Sequence, residues 1–446
     1  MRLLIIAYHF PPDGAVGALR PYHLARLLPE HGIEAWVLTV HPNYAERLDP
    51  SMQIGEELAQ KVIRTHVLPS KRDRYLALKQ FFVQRQATGM NDLLRGDVVG
   101  GTAVQAEAKP LWRRWIAAWL SFPDWYAGWR KPAIRSAREL MRNYPFDAVL
   151  STSPPRIVHL IARDIAREFR LAWVMDMRDP WTVVEWQGES VRLWPFKGWY
   201  ERLLRSCLQQ ASCVTLNTGA LHRYMAECYP IYRHKMSTLP NGIDERWVSL
   251  SENDASHSAH LLIGHFGSLH GRRNIHVFLR GLSRWLERHP EARLRLRVGL
   301  WGAIERGETL EQIGTLNLQD VVQSRGVIPR SEAIAHMQQC YLLVLVATEQ
   351  PLQVPAKVYE YLAAGRRILA LTERGGATAE LLGGHPGCLI VENEQEVMQA
   401  LDQCWRDYTA GVPAFISYET LIRQYAYSEI AGQLADLLKH SCRHVE

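Results

Sequence analysis

The sequence predicts two α/β domains, each built on a parallel, Rossmann-like sheet. Three observations carry that expectation. Apolar runs of strand length recur along the 446 residues, separated by segments with the helical period. The runs fall into two blocks, one ending near residue 217 and one starting at residue 261. Between them, residues 229–260 form a polar stretch containing Pro240-Asn241-Gly242. The length also exceeds what one hydrophobic core organises, because single cores stop growing near about 250–300 residues.

The elements follow in order. Residues 2–8 are a continuous apolar run with β-branched content, which suits a strand buried on both faces. A Pro/Gly loop at 9–17 leads to a helical stripe at Leu19, Leu24, Leu27 and Leu28, and residues 34–40 are the second strand. The stretch 44–131 is irregular and yields no clear strands. Order returns with a strand over 146–152, a helix over 155–169, and strands over 171–177 and 214–217. In the second block, strands are expected over 261–266, 294–300, 321–327, 341–347 and 367–371. Helices over 275–288, 331–339 and 356–364 alternate with them. The division expected is 1–240, 241–415, and a C-terminal helical segment 416–446 returning to the first domain.

Composition excludes several classes. A net charge of +6 is small over this length and gives no reason to expect nucleic acid as a partner. No apolar run reaches the roughly 18–20 residues of a membrane span. The opening run at 3–7 lacks a small-x-small cleavage site and reads as a strand rather than a signal peptide. Seven cysteines, with no Cys-x-x-Cys pair, argue against a disulfide framework or a zinc site and suit a cytoplasmic location.

In open parallel sheets the functional crevice lies outside the carboxyl ends of the strands, so the loops after strands are the places to look. The first such loop contains Gly14 and Gly17, which let backbone approach a ligand; a plain turn is an equal reading. The second is Gly267-Ser268-Leu269-His270-Gly271-Arg272-Arg273. Two glycines and two arginines at a helix start suit an anion, and a solvated basic turn is the alternative. The third is Pro355-Ala356-Lys357-Val358-Tyr359-Glu360, where Lys357 and Glu360 share a helix face. A diphosphate at that helix start would put a ribose about one turn along, near ~5 Å; a surface ion pair is the alternative. The fourth is Asp176-Met177-Arg178-Asp179-Pro180-Trp181, charges clustered where a buried strand ends; an internal Arg–Asp pair is the other reading. No Asp-x-Asp occurs in the chain, which removes the simplest signature of a metal-held diphosphate.

Taken together these motifs resemble the GT-B-fold glycosyltransferases of family 4, the glycosyl transferases group 1. The Phe-Pro-Pro…Gly-Ala-Leu-Arg loop, Arg178-Asp179-Pro180-Trp181, Leu239-Pro240-Asn241-Gly242-Ile243-Asp244, Gly267-Ser268-Leu269 and the segment Pro355 through Gly365 stand in the family's order. The resemblance implies a GT-B architecture of two domains facing a central cleft. It implies a nucleotide-diphosphate sugar held by the C-terminal domain, an acceptor held by the N-terminal domain, retention of configuration and no obligatory metal or other cofactor. Carried over by position, Glu360 would bind the donor ribose. Gly267, Ser268, Arg272, Arg273 and Lys357 would face the diphosphate, and Gly14 and Gly17 would let the first loop close on it. Arg178, Asp179, Arg273 and Glu349 are the expected catalytic group.

Two departures stand out. The family often carries a glutamate eight positions before the ribose-binding one, where this chain has Leu352; Glu349, Gln350 or Gln353 is the expected substitute. Many members carry histidine where this chain has Arg178, so a neutral contact becomes a permanent cation.

Tryptophan is concentrated on the acceptor side. Of 15 Trp, five lie at Trp112, Trp115, Trp119, Trp125 and Trp129, interleaved with Arg113, Arg114, Arg130 and Lys131. On a helix over 110–120 the first three share a face. Two readings stand: an interfacial helix that meets an anionic membrane or a lipid-linked acceptor, or aromatics packed in the N-terminal core. The function expected is transfer of a sugar to a glycan or lipid-linked acceptor for a surface polysaccharide (exopolysaccharide, capsule or lipopolysaccharide), in the cytoplasm or at the inner face of the cell membrane through residues 112–131. The alternatives are a sugar-nucleotide epimerase on the same fold and a non-catalytic binding subunit of an assembly complex.

Overall fold

The computed structural model describes residues 1–85, 110–181, 193–248, 259–270, 273–304 and 307–443. The chain forms two units. The first is Met1–Val99, Val104–Pro240 and Tyr427–Glu446, and the second contains Asn241–Ala426.

The first unit carries seven strands: β1 (Arg2–Ile6), β2 (Glu34–Val40), β3 (Val62–Thr65), β4 (Ala148–Ser153), β5 (Ala172–Met177), β6 (Cys213–Leu216) and β7 (Met236–Thr238). Their order is β3-β2-β1-β4-β5-β6-β7, and every pairing is parallel. The central strands β4 and β5 are buried at every residue, as an apolar strand covered on both faces must be.

The second unit carries β8 (Leu261–Phe266), β9 (Leu296–Trp301), β10 (Val322–Gly326), β11 (Leu342–Val346), β12 (Arg367–Leu371) and β13 (Cys388–Val391). They run in the order β10-β9-β8-β11-β12-β13, again all parallel. In both sheets the order turns back on itself between the first strand of the block and a later one, β1 beside β4 and β8 beside β11. That is the switch point at which doubly wound sheets open a crevice.

The C-terminal segment expected from residue 416 divides. The helix Glu419–Tyr425 stays with the second unit, and the helix Tyr427–Arg443 belongs to the first. Tyr427, Ile430, Ala431, Leu434, Ala435 and Leu438 of that last helix join Leu3, Ile5, Leu24 and Val37 in one core, and the Tyr427 ring stacks on His23 at 4.1 Å.

An internal ion pair holds the carboxyl end of the first sheet. Arg20 Nε and Nη2 meet the two oxygens of Asp176 at 2.9 and 2.8 Å, with both side chains 1% exposed. Thr152 and Thr215 donate their hydroxyls to the same carboxylate at 2.6 and 2.7 Å. Arg20 also donates to the carbonyls of Leu239 and Pro240, so one guanidinium ties β5 to the chain where the unit ends. Burial alone would raise the Asp176 pKa, but the Arg20 charge and these hydrogen bonds hold it below the ordinary carboxylate value.

Candidate functional site

The second unit gathers its polar groups at the carboxyl ends of β8, β9 and β11. The Gly267 N–H donates to the Trp301 carbonyl at 2.7 Å and the Leu269 N–H to Ala303 at 2.9 Å, which binds the loops after β8 and β9 edge to edge. Gly267 has φ 155°, a backbone that favours glycine, and a Cβ there would lie 2.5 Å from the Lys357 Cε, which places the lysine side chain against the loop. Ser268 is exposed beside it. His270 and Arg273 close a tight turn with reciprocal backbone hydrogen bonds of 3.0 and 2.9 Å, and Arg273 is exposed. Arg272 lies outside the described residues.

Lys357 opens the helix Lys357–Ala364, whose N-cap Ala356 offers no side-chain acceptor, and Gly365 ends it in the left-handed conformation at φ 63°. Glu360 sits one turn along on the same face. Its carboxylate meets Arg330 Nη2 at 3.1 Å, with the two side chains 18% and 20% exposed. Arg330 is the first residue of the helix Arg330–Gln339 that follows β10. Desolvation lowers the Lys357 pKa; Glu360 opposes that shift, while Arg330 and Arg273 add to it. Three cations and one carboxylate therefore share a field at the end of one sheet. Such a group suits a ligand that is anionic at one point and rich in hydroxyls beside it.

Glu349 lies in the loop after β11, exposed, with a left-handed backbone at φ 58° and its N–H donating to the Glu373 carboxylate at 2.6 Å. Left-handed backbone is uncommon for residues other than glycine. Gln350 and Gln353 are buried in the same loop.

In the first unit, Arg178 is 8% exposed and its guanidinium donates to three carbonyls: Ser153 at 2.7 Å, Gly17 at 3.2 Å and Pro154 at 3.3 Å. It clamps the Gly17 loop to the end of β4. A Cβ on Gly17 would lie 3.3 Å from Arg178 Nη2 and 3.3 Å from His9 Cδ2. Gly14 is held by its N–H to Arg47 at 2.7 Å. Asp179 follows Arg178 and favours its charge electrostatically, against a desolvation that lowers the arginine pKa. The internal Arg–Asp pair of this region is therefore Arg20–Asp176, while Arg178 bonds backbone.

The sequence-based reading missed Arg330, whose one signal is a cation placed directly after Pro329 in a loop following a strand. It also missed a cluster of His9, Asp13, Glu46 and Tyr126 at the end of β1. Five of the aromatics divide: Trp129 is fully buried and donates to Thr65 at 2.7 Å, whereas Trp112, Trp115, Trp119 and Trp125 are 60%, 41%, 42% and 51% exposed. The first three lie on the helix Leu111–Ser121, which seats Ala118 against Phe196 and Tyr200. Lys71 and Arg72 stand over the Trp119 and Trp125 rings at 4.1 and 4.6 Å. Among the described residues no helix is long and apolar enough to cross a membrane, and no group of three His, Cys, Asp or Glu side chains is placed to hold a metal ion.

Residues 92–247 match the family model of Glycosyltransferase Family 4. No curated protein matches the sequence. Among solved structures, Anabaena HepE in complex with UDP and glucose is similar at 15% identity and TM-score 0.61, over 99% of this chain and 100% of that one. Sucrose-phosphate synthase from Thermosynechococcus elongatus is similar at 12% identity and TM-score 0.62, over 99% and 98%. An α,α-trehalose-phosphate synthase (UDP-forming) from Burkholderia xenovorans, in complex with glucose-6-phosphate, is similar at 13% identity and TM-score 0.61, over 98% and 100%. At these identities the likeness is one of fold.

Proposed function

We propose that this chain, whose residues 92–247 match the Glycosyltransferase Family 4 model, is a GT-B-fold glycosyltransferase that moves a sugar from a nucleotide-diphosphate donor to a glycan or lipid-linked acceptor, with retention of configuration and without an obligatory metal. The observation that carries this reading is the group Arg330–Glu360–Lys357 against the Gly267 loop. Glu360 accepts hydrogen bonds from the ribose hydroxyls. Lys357, Arg273 and the Ser268 N–H face the diphosphate, where negative charge grows as the sugar leaves, and Gly267 keeps its loop open beside them. Donors fixed there in advance stabilise that charge without reorganising. Within the first unit, Gly14 and Gly17 keep the loop after β1 slender, and Arg178, its charge favoured by Asp179, fixes the shape of that loop. Glu349, in the loop after β11, contacts the sugar in place of the acid absent at Leu352.

The acceptor side is assigned to the first unit. The exposed Trp112, Trp115 and Trp119, with cations standing over and beside them, support a peripheral seat on an anionic membrane and a role in surface polysaccharide synthesis at the inner face of the cell membrane. The test of the transferase reading is turnover of UDP-, GDP-, ADP- and dTDP-sugars with and without alkyl-glycoside acceptors. The expected result is acceptor-dependent release of nucleoside diphosphate and an axial or equatorial product linkage matching the donor. Conversion of the donor to an epimer in the absence of acceptor would contradict it.

A further inference from the structure

A second cluster of ionisable groups lies at the carboxyl end of β1, and the donor-site residues leave it unused. His9 Nδ1 lies 2.8 Å from Asp13 Oδ2, and the two residues are 7% and 3% exposed. The other Asp13 oxygen accepts the Ala15 N–H at 3.0 Å, so the carboxylate is fixed at both ends. Burial would raise the Asp13 pKa, but the bonds from His9 and Ala15 hold it below its ordinary value. A carboxylate can only accept, so Nδ1 donates to Asp13 and Nε2 is the ring nitrogen left to bond a ligand.

That Nε2 faces Glu46 Oε1 at 3.9 Å, too far for a hydrogen bond between them. Glu46 is 54% exposed along its side chain, and its Oε1 accepts the Tyr126 hydroxyl at 2.6 Å. The partly exposed Tyr126 ring packs edge to face on the buried Tyr8 ring at 4.4 Å. A ring nitrogen and a carboxylate thus sit side by side, unbonded to each other, with an aromatic ring beside them. Neighbouring hydroxyls on a ring with an apolar C–H face match that arrangement: the nitrogen and the carboxylate each bond one hydroxyl, and the C–H face meets Tyr126.

We propose that His9, Glu46 and Tyr126 bind the carbohydrate moiety of the acceptor, with Asp13 as the positioning residue that fixes the His9 ring. The assignment rests on the glycosyltransferase reading for its ligand class. A Cβ on Gly17 would meet both His9 and Arg178, which joins this cluster to the clamped loop.

The test uses the full chain labelled with ¹³Cε1-histidine, the His9 resonance being identified by its loss in His9→Gln. The probes are the octyl β-glycosides of glucose, galactose, mannose and N-acetylglucosamine. At least one is expected to shift the His9 signal. Glu46→Gln, at an exposed side chain, is expected to weaken that binding by about tenfold, the loss of one charge-assisted hydrogen bond. Asp13→Asn should weaken it to a similar degree, and thermal stabilisation by nucleoside diphosphates should be unchanged in both variants. The proposal is overturned if no glycoside moves His9, or if one that does binds Glu46→Gln as tightly as the wild type. A wild type that no UDP, GDP, ADP or dTDP stabilises would contradict the donor-site reading instead, whatever the glycosides do.

Discussion

Asp176 shows how a charged residue at a strand end can be structural. Its carboxylate accepts four hydrogen bonds from Arg20, Thr152 and Thr215, all buried, and removing its charge leaves Arg20 uncompensated. Asp176→Asn is therefore expected to destabilise the first unit by roughly 3–5 kcal/mol, measured by urea denaturation. Two buried histidines make stability depend on pH. Desolvation lowers His159 to about 3 and His265 to about 4, so both are neutral when folded and bind a proton once unfolded. Their contribution is complete above the ordinary value of 6.5 and is lost as pH falls towards 4 and 3. The denaturation midpoint should fall steadily below pH 6.5, with His159→Gln flattening the change in the first unit and His265→Gln in the second; a flat profile in the wild type would contradict this. Residue by residue, the sequence shows what is local. Lys357 and Glu360 share a helix face by their spacing alone. Arg330 comes from another helix, and the His9–Asp13 pair spans a Pro-Pro turn, where spacing says nothing about distance.

The strands that escaped the sequence-based reading are β3, β7 and β13, three of the four edge strands. Edge strands are covered on fewer sides, and these have three or four residues with only one buried in each. β3 and β7 lack the continuous apolar run that identified β1 and β11, and the run of β13 is only four residues long. The Trp helix was legible as a helix, but its surroundings were not, because burial depends on the partner helix Phe196–Gln210, which only the fold places beside it. Replacing Trp112 by serine should weaken co-sedimentation with anionic vesicles while moving thermal stability little, since that side chain is 60% exposed. Equal vesicle binding by the variant would remove the membrane reading. The last helix makes the opposite prediction. Leu434 is fully buried in the first unit's core, and Leu434→Ala should cost about 2–5 kcal/mol by chemical denaturation.

For the molecule as a whole, the alternation of apolar runs was enough to identify two parallel sheets, because strands covered on both faces leave a pattern that needs no alignment. The point where the last segment rejoins the first unit was less legible: no composition change marks the junction between Ala426 and Tyr427. The proposed donor site depends on the second unit's sheet to bring Gly267, Arg330 and Glu360, from three different loops or helices, to one place. The most direct measurement of that claim is calorimetric titration of the wild type and Glu360→Ala with UDP, GDP, ADP and dTDP. The account predicts that one of these nucleotides binds the wild type and that Glu360→Ala weakens it by about tenfold or more, the loss of charge-assisted hydrogen bonds to ribose, with the fold intact. Equal affinity in the two proteins would contradict the donor site.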